Sequence, residues 1–378
     1  MRAVILGLAV AIAFPVAILA APLPPEEKGK PVDVVLALDT SNSMDGLIDS
    51  AKRKLWAIVN DLAKIEPAPT LRVALYSYGN NAYDKSKGWV RKDLDLTTDL
   101  DEVYKSLYAL RTHGGTELVA RVSRDAIAEL KWAEGKDVLR IIFVCGNESA
   151  NQDKEVSLSS VAEMAKSKGV FVNTIFCGPA NHADAAVYKE FAQIAGGKYA
   201  NIDQDRAKTS VVLKTPYDEE IQKYGIQINS TYCWYGPKGD AAATNQLAQD
   251  ANAGKAAGDV ALERSVTKAG RLYKNAACDL IDRMETEKDF DLKKIKEEDL
   301  PDELKKLKVA EREPYLKKKA AERAEIQKKV AEHNAKRVIF IEEESKKQPK
   351  SEADKAFDEA LRAMIKKQAE SKGLTFKQ

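Results

Sequence analysis

Asp39, Ser41 and Ser43 stand in the run Asp39-Thr40-Ser41-Asn42-Ser43, directly after the apolar stretch Val34-Val35-Leu36-Ala37-Leu38. One carboxylate and two hydroxyls at alternate positions are hard oxygen donors, the kind Mg2+ or Mn2+ prefers. At the carboxyl end of a buried strand they would lie where open α/β sheets bind their ligands. The chemistry predicted is capture of an acidic group on a partner through a cation. Other chemistries find little support. The three histidines, His113, His182 and His333, form no spaced cluster, which argues against a zinc hydrolase. Ser41 or Ser43 paired with His113 lacks the G-x-S-x-G elbow of a serine hydrolase. Gly114-Gly115-Thr116 lacks the lysine of a phosphate-binding P-loop. The chain reads as non-enzymatic.

Positioning those residues requires a strand that ends at Asp39 and neighbours that bring other loops beside it. From Val32 to about Lys214, strand and helix signals alternate. Strands are predicted at Val32–Leu38, Leu71–Tyr78, Trp89–Lys92 (a short edge), Val138–Val144, Val170–Phe176 and Lys198–Ile202. Helices are predicted at Leu47–Ile65, from Thr98 or Asp99 to Leu110, and at Val119–Lys131, Ser157–Lys168 and Asp184–Ile194. This alternation predicts an α/β fold, a doubly wound and mostly parallel sheet with helices on both faces. With strand order 3-2-1-4-5-6, the first and fourth strands flank the switch point. Asp39, the Gly114-Gly115-Thr116 loop and the turn Gly146-Asn147-Glu148 then converge on one crevice.

The chain has 378 residues and a formal net charge of +2, with no basic stripe interleaved with aromatics, so nucleic acid is not an expected partner. Met1-Arg2 followed by the apolar run Ala3–Ala21 reads as a signal peptide (1–21) with a linker at 22–30, predicting export to the periplasm or beyond. An uncleaved membrane anchor is the alternative. Cys145, Cys177, Cys233 and Cys278 allow disulfides, with Cys145–Cys177 and Cys233–Cys278 the expected pairs; the alternative is four buried thiols. After the domain at 31–214, a strand-like stretch (Ile226–Tyr232) and a Gly236–Gly258 linker fill 215–258. An α-helical extension occupies 259–378. The imperfect apolar stripe of Leu304–Glu344 predicts a helical hairpin or short coiled coil, and hence self-association. A polar break at Lys346–Ser351 and a short amphipathic helix with Phe357, Leu361 and Ile365 close the chain.

From Pro31 to Ile202 these motifs resemble the von Willebrand factor A domain and its metal-ion-dependent adhesion site. The resemblance implies that Asp39, Ser41, Ser43 and Thr116 hold a divalent cation, Mg2+ or Mn2+. It also implies that an acidic side chain on a protein partner completes the cation's shell. One departure stands out. The family usually has an aspartate after the fourth strand, where this chain has Gly146, so Asn147 or Glu148 would supply the missing oxygen. The implied function is metal-dependent protein–protein interaction or adhesion. The alternative is a metal-independent scaffold that assembles through its helical C-terminal region.

Overall fold

The computed structural model describes residues 29–44, 58–202, 213–256, 259–347 and 362–376. The signal segment, most of the linker and most of the Leu47–Ile65 helix lie outside the described residues, as do Phe357 and Leu361. Six strands form the main sheet: β1 (Pro31–Asp39), β3 (Thr70–Tyr78), β4 (Val90–Thr97), β5 (Leu139–Gly146), β6 (Val170–Cys177) and β7 (Tyr199–Ile202). Their order is β4-β3-β1-β5-β6-β7, all parallel except the edge strand β4, which runs antiparallel to β3. The mostly parallel, doubly wound architecture is therefore the one expected. Every residue of β1 after Pro31 is buried, as befits a strand covered on both faces.

One face carries α3 (Val119–Glu129), α4 (Leu158–Ser167) and α5 (Ala183–Ile194), which pack Val122, Ala162 and Phe191 with Val35 and Ala37. The other carries α1 (58–62), α2 (Leu100–Ala109) and the C-terminal α12 (362–370), whose Leu62, Val103 and Ile365 share a core with Val34 and Leu36. Asp99 caps α2 and Ser157 caps α4, each side chain accepting amides that the first helical turn leaves unpaired. A small ladder between β2 (Ile65–Glu66) and β8 (Thr375–Phe376) pins the C-terminal segment to the domain.

The region after 214 corrects three expectations. The strand-like stretch Ile226–Tyr232 belongs to α6 (Asp218–Gln227) and a following 3-10 turn at Ile228–Thr231. Ile221, Gly225 and Ile228 form its buried face at helical spacing, which the β-branched residues had masked. The expected linker is mostly α7 (Gly239–Lys255), where alanines act as helix formers. Within the expected α-helical extension, the stretch Leu272–Ala277 is not helical: α8 (Val260–Ala269) stops at Gly270, and α9 (Leu280–Thr286) starts afresh at an Asp279 cap.

After α10 (Asp302–Lys305) comes α11 (Val309–Lys347), one continuous helix of 39 residues instead of a hairpin. Its buried stripe mixes Leu316, Ile326 and Val330 with Arg312, Arg323 and Arg337. Arg323 meets Asp279 (2.8 Å) and Asp282 (3.0 Å), while Arg337 faces Asp218, Asp259 and Glu263. An apolar count of this stripe looks imperfect because half of it is arginine, and the helix packs on its own chain.

Candidate functional site

The crevice at the carboxyl end of the sheet gathers three loops. Thr40 ties the first loop to β3, its amide (2.8 Å) and hydroxyl (2.9 Å) both donating to the Tyr78 carbonyl. The His113 amide donates to the Thr40 carbonyl (3.0 Å), and the Gly114 amide donates to Asn42 Oδ1 (2.8 Å). Residues between the motif's Asp and Ser positions thus dock the second loop onto the first. Gly115 is required there: a Cβ would stand 2.2 Å from the Gly79 carbonyl oxygen.

Within the first loop, the Ser41 amide donates to Asp39 Oδ1 (2.8 Å), and the Ser41 and Ser43 hydroxyls are 2.8 Å apart. The third loop joins through Asn147, whose Oδ1 accepts from the Ser43 hydroxyl (3.1 Å) and whose amide donates to the Ser43 carbonyl (3.3 Å). Thr116, which follows the Gly114-Gly115 turn, is half-buried, and Glu148 is exposed. Gln152 bridges the second and third loops, donating to Glu117 (2.7 Å) and Glu148 (3.3 Å).

Asp39 is 0% exposed, and its Oδ2 has no hydrogen-bond partner among the described residues. Burial pushes its carboxyl up to about 8. The Ser41 amide opposes that rise, and the carboxylates of Glu117 and Glu148 add to it. Glu117 is also buried, with Oε1 unpartnered. Burial raises its carboxyl to about 7, with Glu148 contributing. Among the described residues, no group of three or more Asp, Glu, His or Cys side chains is arranged to hold a metal. A cation here would therefore rely on a mixed set of carboxylate and hydroxyl oxygens. The orphaned oxygens of Asp39 and Glu117 and the serine hydroxyls fit such a hard-donor set.

A pH dependence follows from Asp39. Its folded value of about 8 lies above the ordinary aspartate value of 3.8, so the folded chain keeps a proton that the unfolded chain releases. That contribution to stability is complete below about pH 4 and is lost as pH rises toward 8, at up to about 1.4 kcal/mol per unit. Urea unfolding in EDTA at pH 5 and pH 8 checks this: the native chain weakens with pH more than Asp39→Asn. An equal loss in both contradicts it.

Gly146 lacks a carboxylate for a packing reason. A Cβ there would lie 2.5 Å from the hydroxyls of both Tyr78 and Tyr188, which are wholly buried, and 3.5 Å from Asp39 Oδ2. The Tyr78 hydroxyl donates to the Cys145 carbonyl (2.9 Å). Two tyrosines thus fill the volume that an aspartate side chain would need.

The expected disulfides are absent, since all four cysteines are free thiols. Cys145 lies opposite Ile175, two residues short of Cys177 along β6. A two-residue stagger plus the strand spacing separates the Cα atoms by roughly 8 Å, beyond disulfide reach. Cys233 and Cys278 are likewise diagonal, one on either side of the Trp234–Asp279 bridge.

Sequence reading named Asp39, Ser41, Ser43 and Asn147, which hydrogen bonds link to one another in the structure. It missed Glu117, Gln152, Tyr78 and Tyr188. An acid directly after the Gly-Gly-Thr turn was the available signal for Glu117. Nothing local in the sequence marks the tyrosines, which arrive from β3 and α5. His113 contributes its backbone amide to the loop junction.

Comparison with known proteins adds a family likeness for part of the chain. Comparison with curated protein sequences returns no match. Similar solved structures include proximal thread matrix protein 1 from the mussel byssus, with a zinc-occupied MIDAS motif (12% identity, 48% of this chain and 44% of that one, TM-score 0.36). The pilus adhesin SpaC from Lactobacillus rhamnosus GG is similar too (15%, 49% and 29%, 0.37), as is the SpRpn10 VWA domain (16%, 49% and 100%, 0.35). The matched part spans less than half the length of the first two proteins. Residues 33–214 match the sequence profile of the von Willebrand factor type A domain, and the sheet order and helical layers described above agree with it. Residues 33–214 of this chain are therefore similar to a von Willebrand factor type A domain.

Proposed function

We propose that this domain binds a protein partner through a divalent cation held in the Asp39 crevice. Asp39, Ser41, Ser43 and Thr116 would contribute oxygens, with Asn147, Glu117 or Glu148 in place of the carboxylate absent at Gly146. Mg2+ or Mn2+ suits these donors. When bound, the cation would supply an open position for an aspartate or glutamate of the partner. The observation carrying this reading is the fully buried Asp39 with one oxygen unpartnered and Glu117 and Glu148 as its charged neighbours. Burying anionic charge without a counter-charge is costly, and a cation removes that cost. No catalytic step is part of the proposal. The apolar segment Ala3–Ala21 supports export, so the partner would be met in the periplasm or outside the cell.

Thermal unfolding of the full chain in Mg2+, Mn2+ or EDTA tests it. Metal at a hundredfold excess over its dissociation constant stabilises by about 2.7 kcal/mol, and Asp39→Ala should abolish that gain. The second reading is a scaffold assembling through its helical region. Val338 and Ile339, 45% and 55% exposed on α11, favour it. Chelator-insensitive self-association without any metal-dependent rise in melting would decide for the scaffold.

A further inference from the structure

A separate cavity of about 630 Å³ opens at the other end of the sheet, where β6 and β7 begin. Phe171 of β6 and Lys189 and Gln193 of α5 line it. So do Lys198, from the loop entering β7, and Lys367 and Gln368 of α12. Among the described residues no carboxylate lines it, although acids are nearly as frequent as bases in this chain, 58 against 60. None of the three lysines makes an ion pair or side-chain hydrogen bond with another described residue. Lysines elsewhere commonly do, as in Lys64–Asp61, Lys105–Glu102 and Lys274–Glu285. Lys372 adds a further positive charge, its Nζ 5.7 Å from the Phe171 ring centre.

Gln368, which lines this cavity, is fixed by a buried partner. Asn173 and Gln368, 0% and 4% exposed, exchange two amide hydrogen bonds (3.0 and 2.7 Å). Asn173 Oδ1 also accepts from the Lys198 amide (2.8 Å). One buried amide pair therefore joins β6, the loop entering β7 and α12. Lysine is a point-charge ligand for phosphoryl groups, and the volume falls in the range of small-molecule sites.

From this juxtaposition of three lysines without ion-pair partners among the described residues, a fixed Gln368 and an aromatic wall, we infer that the cavity binds the phosphoryl group of a small phosphorylated molecule. The lysine ammoniums take the charged oxygens, and Phe171 borders the organic portion. This site is independent of the cation site, lying at the opposite edge of the sheet.

Calorimetric titration of the full chain tests it, in EDTA and at ionic strength held constant with KCl. The probes are inorganic phosphate, pyrophosphate and glucose 6-phosphate. One saturable site per chain is expected. It should weaken about tenfold or more in Lys198→Gln/Lys367→Gln and be unchanged in Asp39→Ala. Both lysine side chains are exposed, so the double variant should melt with the native chain. Tighter binding of glucose 6-phosphate than of inorganic phosphate would identify an ester as the ligand. Equal binding would identify free phosphate. Absence of saturable heat at about 10 mM probe, or equal affinity in the double variant, would overturn the inference.

Discussion

Replacing Gly146 with aspartate is expected to cost about 3 kcal/mol or more of folding stability, without completing the cation site. The Cβ alone would meet two wholly buried tyrosine hydroxyls at 2.5 Å. The carboxylate would then be desolvated beside Asp39, whose own carboxyl already resists ionisation. Gly146→Ala isolates the steric part, at about 1–3 kcal/mol. Urea unfolding with and without Mg2+ reads both. If Gly146→Asp folds as stably as the native chain and binds Mg2+ more tightly, the tyrosines do not exclude a side chain there, and the packing explanation fails.

Arg264→Ala should destabilise the chain by about 3–5 kcal/mol, a large share of an ordinary domain's stability. The guanidinium of Arg264, 1% exposed, donates to Asp101 (2.8 Å) on α2, to Asp250 (2.6 Å) on α7 and to the Gln246 carbonyl (3.0 Å). The Tyr273 hydroxyl also donates to Asp101, and Lys268 holds Asp250 at 2.6 Å. Removing the arginine leaves Asp101 with a hydroxyl and no counter-charge. Adding Asp101→Asn to Arg264→Ala should recover part of the loss, because the buried negative charge goes with it. Because Arg264 bridges the extension to α2, limited proteolysis should release the extension sooner in the single variant. Equal stability and equal proteolysis would mean that the extension docks by its apolar contacts alone.

Much of the domain was legible in the sequence because each element announced itself locally. Val34–Leu38 is continuous and apolar, Asp99 and Ser157 are helix caps, and the Asp39–Ser43 loop follows a buried strand. The extension was harder to read for identifiable reasons. α7 is built of alanine and polar residues that also suit linkers, and its buried positions include Gln246 and Gln249. Arginine occupies half of the inward stripe of α11, so hydrophobic periodicity understates that face. The site divides in the same way. Three of its donors, Asp39, Ser41 and Ser43, lie within five residues of sequence, whereas the tyrosines that close the Gly146 position come from β3 and α5 and meet only in the folded sheet. Cysteine pairing depends on strand register, which sequence does not display: Cys145 and Cys177 end neighbouring strands, but a two-residue stagger keeps their sulfurs apart.

Whether the Asp39 loop holds a divalent cation can be read by titrating the full chain with Mn2+ and following free Mn2+ by electron paramagnetic resonance. One site per chain is expected, which Mg2+ displaces, which tightens between pH 6 and 8 as Asp39 and Glu117 give up their protons, and which Asp39→Ala removes. No bound Mn2+ in the native chain, or the same binding in Asp39→Ala, would contradict it.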